Sequence, residues 1–317
     1  MTTLYFLIQQ TMYFSIPLLI VALGGMFSER GGVVNIALEG IMIFGGFTGI
    51  LFISGTQQYL PGQPVLMLGL LVSALTGILV SLLHAYAAIN MKADQVISGT
   101  AINMLAPAIA IYVARLMRDV QQIPFKNEFR LVSVPVLGDI PLIGPFFFQN
   151  AYITTYLGFI ILLLSWAALY KTRFGLRLRS CGEHPQAADS VGINVFRMRY
   201  AGTMISGALA GVGGLIFVIP TSTNFNASVS GYGFLALAVL IFGQWRPVRV
   251  FGAAFFFGLM KTVASSYSGI PALLSLGIPP NFYKMVPYIA TLIVLAFTSK
   301  SSQAPRAAGV PYDKGGR

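Results

Sequence analysis

Nine apolar runs, most of them the length of a bilayer crossing, are strung along this 317-residue chain, with its charges largely confined to the gaps between them. A spanning helix needs about 20 apolar residues. The runs cover residues 4–27, 33–53, 64–89, 97–117, 151–170, 199–219, 232–243, 248–267 and 284–299. The pattern predicts an all-α integral membrane protein, a polytopic bundle of eight to ten transmembrane helices in one domain, 1–317. Nine crossings fit best. The seventh run is short, which predicts a half-helix, re-entrant or paired with the eighth run as one broken helix. Only 9% of residues are charged and 56% are hydrophobic, whereas soluble domains carry about 25% charge.

The basic residues sort onto one side. Arg30, Lys92, the interval 171–199, Arg246, Arg249 and the tail from Lys300 hold 14 of the 20 Lys and Arg. All lie on one face if the helices alternate, and the positive-inside rule makes that face cytoplasmic. The N-terminus is then outside and the C-terminus inside. The formal charge of +11 is therefore topology, not a nucleic-acid surface, which would gather it into one stripe. A single cysteine, Cys181, permits no internal disulfide. Arginines near it in sequence favour a thiolate, although an incidental thiol is the simpler reading. The scattered His and Cys suggest no metal site. No Lys or Arg precedes the first run, so it reads as a retained helix rather than a cleaved signal. The chain has no Gly-Lys pair and hence no P-loop.

The interval 171–199 is the longest polar gap and carries six of the basic residues. Inside it, SCGEHPQAADSVGI predicts a short helix on the cytoplasmic face. Pro185 suits a first helical turn, Glu183 complements the helix dipole, Ala187 and Ala188 leave a smooth surface, and Gly192 can end the helix. The sequence fits a docking knob, with an ordinary amphipathic loop helix as the alternative. Residues 118–150 predict a compact outer plug. Residues 220–231 are polar and uncharged, and face an outer vestibule. The tail 300–317 lies along the cytoplasmic face. Gly202, Ser206, Ala210 and Gly214, with Gly207 and Gly211, make small-residue stripes that suit tight packing within one subunit, or else a subunit interface.

Three polar residues inside apolar runs are candidates for a solute pathway. Asn35 and Glu39 are four apart and share one helix face. A charged group at membrane depth costs about 2.5–3.5 kcal/mol on insertion scales, so Glu39 should meet a cavity or a partner. Glycines flank its run, as in discontinuous helices that hold transport sites. Asn103 also needs hydrogen-bond partners, from solute or from a neighbouring helix. His84 and Lys261 read as structural, with Lys261 snorkelling to the outer surface.

The knob resembles the EAA-type loop of bacterial ABC importer permeases, with Gln186 standing where that loop has Glu, then Ala187 and Ala188, and Gly192 after three further residues. TRFGLRLRSCGEHPQAADSVGINVFRMRYAGTMISGALAGVGG resembles the branched-chain amino acid and simple-sugar permease superfamily. ERGGVVNIALEGIMIFGGFTG, GYGFLALAVLIFGQWRP and PYIATLIVLAFTS look most like its nucleoside-type branch. The resemblance covers nearly the whole chain. It implies a non-enzymatic subunit of an importer in the bacterial cytoplasmic membrane that binds no cofactor itself. ATP would be bound by a partner ATP-binding subunit docked on Glu183, His184, Pro185, Ala187, Ala188 and Gly192. It further implies a second, non-identical permease subunit, an extracytoplasmic substrate-binding lipoprotein, and nucleosides as the solute, with simple sugars next. An ion-coupled secondary transporter is the alternative of another class, but such proteins usually carry several intramembrane carboxylates.

Overall fold

The computed structural model describes residues 2–135, 138–140, 144–269, 275, 277–298 and 303–314. Helices form on each apolar run: α1 (Thr2–Arg30), α2 (Leu38–Thr56), α3 (Gln63–Ile89), α4 (Gln95–Arg118), α5 (Ile153–Lys171), α8 (Val195–Thr221), α9 (Tyr232–Phe242), α10 (Pro247–Ser266) and α11 (Pro280–Thr298). The interval between α5 and α8 folds as α6 (Arg173–Glu183) and α7 (Pro185–Ser190). Seven of these helices, α1–α5, α8 and α10, are long and apolar enough to cross a membrane. The chain is a multi-pass, all-α membrane protein.

Two crossings begin as non-helical chain. α9 has 11 residues, about 16 Å of helix, roughly half of the ~30 Å hydrocarbon core. Residues 222–231 lead into α9 as non-helical chain. The run 33–53, expected as one helix, likewise begins as non-helical chain over 31–37, and α2 starts only at Leu38. Gly32, at φ +94°, turns the chain out of α1 in a conformation that a side chain resists. The seventh crossing is therefore a half-helix in its own right, not a broken pair with α10.

α1 runs through the centre. Leu18 to Leu23 are each 0–1% exposed, so all its faces there are covered. α8 and α2 pack around it. A Cβ on Gly207, Gly211 or Gly214 would collide with the backbone of Gly77, Ser73 or Met42 respectively. The small-residue stripes of α8 thus serve close packing against α3 and α2 within the chain. α3 belongs to the rim: Leu71, Leu75, Leu79 and Leu83 form one exposed apolar stripe that suits lipid.

Contacts at the two ends agree with alternating crossings. On one side, Lys92 pairs with Asp313 at 3.0 Å, the Ala307 N–H donates to the Gly182 carbonyl at 2.8 Å and the Gly309 N–H to that of Gly32 at 3.2 Å. The tail thus lies across the ends of α1, α3 and α6; Lys300 and Arg317 fall outside the described residues. On the other side, β1 (Ile123–Pro124) pairs with β4 (Asn224–Phe225), and β2 (Arg130–Ser133) with β3 (Gln149–Tyr152), both antiparallel. A π-helical turn spans Gly144–Phe148. These short pieces cover the outer face where a plug was expected, although 136–137 and 141–143 lie outside the described residues.

Candidate functional site

The three polar residues singled out in the apolar runs meet around one joint, where α2 and α9 begin inside the bundle. Backbone polar groups at membrane depth need partners, because lipid supplies none. The segment 31–37 finds them in side chains. Gln95 Oε1 accepts from the Val34 N–H at 2.7 Å. His84 Nε2 lies 3.0 Å from the Val34 carbonyl, which can only accept, so Nε2 carries the proton. Ser98 Oγ is 3.0 Å from His84 Nδ1 and donates to it. Asn103 Nδ2 donates to the Ile36 carbonyl at 2.8 Å, while its Oδ1 accepts from the Gly40 N–H at 2.7 Å. Asn103 therefore caps α2 from α4, a role that the local cap residue Ala37 cannot fill. Asn35 Nδ2 donates to Ser206 Oγ at 2.8 Å.

Glu39 does for α9 what Asn103 does for α2. Its Oε1 accepts from the Gly231 N–H at 2.9 Å and its Oε2 from the Gly233 N–H at 2.6 Å. The carboxylate thus sits in the first turn of α2 and on the N-terminus of α9, two positive helix ends. Gly233 is required there, because any Cβ would run into the backbone of Glu39. At the other end of α9, Trp245 Nε1 donates to Glu29 Oε2 at 2.6 Å, and Arg30 donates to the Trp245 carbonyl at 3.0 Å. Sequence reasoning missed Glu29 because the apolar run stops at residue 27 while the helix continues to Arg30. An acidic residue at a span end facing one of only two tryptophans was the available signal.

Above the joint lie two chambers on the outer side. One, about 370 Å³, is lined by Gln10, Tyr13, Phe217, Thr221, Ser230 and Lys261, among others. The other, about 220 Å³, shares Phe217, Thr221 and Ser230 and adds Asn224 and Asn226. The larger falls within the range of small-molecule sites, about 300–1,000 Å³. Its floor rests on the α9 start: the Phe217 and Tyr232 rings lie 4.1 Å apart, and Lys261 Nζ is 6.0 Å from the Tyr232 ring centre. Lys261, expected to snorkel, instead faces this chamber. Residues 224–230 alternate, with Phe225, Ala227 and Val229 buried and Asn224, Asn226, Ser228 and Ser230 exposed, so the predicted polar lining is in place. Ala227 and Ser230 hold φ of +55° and +54°, sparsely populated for non-glycine residues.

At the face that carries the tail, α6 and α7 form the knob. Thr172 Oγ1 caps α6 through the Gly175 N–H at 3.2 Å, and His184 Nδ1 caps α7 through the Ala187 N–H at 3.3 Å. Pro185 opens α7 and Gly192, at φ +84°, lies just beyond it. Two residues of the expected docking set, Ala188 of the smooth surface among them, point inward. Pro185 and Ala188 are buried, three apart, and Ala188 packs with Cys181, Val195 and Tyr312. Glu183, His184, Ala187 and Gly192 stay exposed. Val191, 75% exposed, adds an apolar tip that the sequence reading overlooked. Burial pushes the Cys181 thiol up, against the opposite pull of Arg199. The knob is bolted to α1: Arg30 pairs with Glu183 at 3.4 Å, and a Cβ on Gly182 would strike the Arg30 carbonyl.

Residues 7–295 match the family described as the permease component of the branched-chain amino acid transport system. The chain belongs to that family. Among relatives of this permease, the guanosine ABC transporter permease protein NupQ of Bacillus subtilis is 46% identical, covering 98% of this chain and 97% of the relative. The nucleoside ABC transporter permease protein NupC of Lactococcus lactis is 42% identical, covering 98% of each. The putative glucose ABC transporter permease protein TsgC13 of Haloferax volcanii is 28% identical, over 95% of the permease and 94% of the relative. No solved structure is a significant match.

Proposed function

We propose that this permease is the membrane-spanning subunit of an ATP-driven importer in a bacterial cytoplasmic membrane, and that its solute is a nucleoside. The observation that carries the reading is full-length similarity, at 46% and 42%, to permeases named for guanosine and nucleosides, against 28% to one named for glucose. The outer chamber suits such a solute. Phe217 offers a ring face, and Ser230, Thr221, Gln10 and Lys261 offer hydrogen bonds to a ribose or a base edge. Asn35, Glu39 and Asn103 serve the pathway from beneath, holding the α2 and α9 starts on which the chamber floor rests.

A separate ATP-binding subunit hydrolyses ATP and grips the knob at Glu183, His184, Pro185, Ala187, Ala188 and Gly192. A second, non-identical permease completes the membrane body, and an extracytoplasmic lipoprotein delivers the solute. Motion at the knob reaches the chamber through contacts in series: Glu183 to Arg30, Arg30 to Trp245 at the foot of α9, and Glu39 at its head. Tilting α9 would move Tyr232 and Ser230, and so open or close the floor.

The test is uptake of labelled nucleosides and sugars in cells with and without the gene, with ATP depleted while the proton gradient is held. Loss of nucleoside uptake that tracks ATP is the expected result. Sugar uptake that tracks the gene would move the solute to simple sugars. Uptake that survives ATP depletion and collapses with the gradient would overturn the ABC reading.

A further inference from the structure

A cavity of about 730 Å³ lies beside the knob and the foot of α9, and although Arg30 and Glu183 border it, its other arginines have no role in the relay described above. Arg30, Arg179, Arg246, Arg249 and Arg306 line it, against Glu183 as the one carboxylate among its lining residues. The charges are poorly answered. The Arg30 side chain is only 12% exposed and reaches Glu183 at a long 3.4 Å. Arg179 stacks on Tyr170, 4.7 Å from the ring centre. The Nε atoms of Arg30 and Arg179 are both buried without a hydrogen-bond partner. Burying guanidinium groups in this way is costly unless an anion joins them.

The position of the cavity says which anion. Its upper wall is Trp166 and Tyr170 of α5, less than two turns above Lys171, the level at which aromatic residues mark a membrane interface. The flank of α5 above it exposes Ile160, Leu163 and Leu164 at 51%, 66% and 63%, and Val248 on the opposite lip is 68% exposed. These exposed apolar side chains put a surface suited to acyl chains beside the cavity. Guanidinium forks match phosphate oxygens in pairs, and basic pockets between helices on the cytoplasmic side suit lipid headgroups.

We propose that this cavity holds the phosphate of an anionic phospholipid of the inner leaflet, with its acyl chains lying against α5. Arg30, Glu183 and Arg306 also border the knob, so the bound lipid braces the root of α6 against α1.

The experiment uses the purified permease in detergent, titrated separately with phosphatidylglycerol, phosphatidylcholine and inorganic phosphate, and read by thermal melting and native mass spectrometry. Phosphatidylglycerol should bind and raise the melting temperature, while the other two do neither at matched concentration. R246Q/R249Q, which changes two exposed side chains, should weaken phosphatidylglycerol binding at least about tenfold, given roughly 1 kcal/mol per basic group near a lipid surface. Its melting temperature without lipid should equal that of the wild type; if it does not, R306Q is the replacement. Equal effects of phosphatidylcholine or inorganic phosphate would overturn the proposal. So would a double variant that keeps the lipid but loses its ATP-binding subunit in co-purification, which would make the cavity a protein dock.

Discussion

The two ends of α9 are each held by a carboxylate, yet they are held differently. At the head, Glu39 takes two backbone N–H groups, those of Gly231 and Gly233. At the foot, Glu29 takes one side-chain N–H, from Trp245. A backbone donor cannot be mutated away, so removing Glu39 orphans two groups, of which that of Gly233 is buried. A side-chain donor can be removed together with its acceptor, and paired apolar replacements are often nearly neutral. The head is thus a fixed pivot and the foot a replaceable latch. The foot also carries Gln244 and Trp245 at φ +51° and +52°, and it touches Arg30, which reaches the knob. A helix that must move with the knob should be latched more loosely at that end.

The largest effect should come from the pivot. Glu39→Ala leaves the buried Gly233 N–H unpaired, at about 1–3 kcal/mol, and the half-buried Gly231 N–H with it, at less. Membrane abundance should fall steeply and uptake should disappear. Glu39→Gln keeps an acceptor, so abundance should hold while uptake kinetics change. Immunoblot and uptake together read both variants. An Ala variant with normal abundance and uptake would remove the distinction between pivot and latch.

Next is the knob that would drive the latch. The Cβ of a residue at 192 meets nothing within 4 Å, and φ is +84°, a region that Asn and Asp enter more readily than most residues. Gly192→Asp should abolish transport and its coupling to ATPase activity with the protein still inserted, and Gly192→Asn should retain most of both. If Asp and Asn fail alike, backbone geometry rather than the docking face is responsible. Normal uptake by the Asp variant would mean that nothing docks there.

These contrasts also separate what the sequence made legible from what it did not. The apolar runs gave the crossings, because burial in lipid requires length and hydrophobicity and both are local. Asn35, Glu39 and Asn103 stood out because a polar group in such a run needs a reason. Their partners did not stand out. Glu39 bonds to residues 192 and 194 positions away, through N–H groups that every non-proline residue has. The chamber was half legible. The uncharged stretch 220–231 suggested a vestibule, but Lys261 and Phe217 reach it only because α9 starts deep in the bundle, a depth set by three-dimensional packing. The inward turn of Pro185 and Ala188 was hidden for a similar reason: a six-residue helix is too short to display a periodic face.

The latch should give a smaller, divisible effect. Trp245→Phe and Glu29→Leu each break the bond and should cost about 1–3 kcal/mol, and the double variant should recover part of that loss. The melting temperature of the purified protein reads the cycle. Strictly additive losses would mean that Glu29 and Trp245 do not hold each other, and α9 would then be fixed at the head alone.

The smallest effect is on rate rather than stability, and it tests whether the knob loosens. Cys181, on α6, is fully buried under α7 beside Ala188 and Tyr312, and burial raises its thiol pKa. A raised pKa leaves little thiolate at neutral pH, and the thiolate is the nucleophile. A water-soluble maleimide should therefore label Cys181 slowly at pH 7 and faster as pH rises. Ala188→Asp, which puts a charge under α7, should expose the thiol and speed labelling several-fold without changing the pivot. Fast labelling of the wild type at pH 7 would mean that α7 already lifts from the body at rest, and that the looseness assigned to the foot of α9 extends through the whole knob.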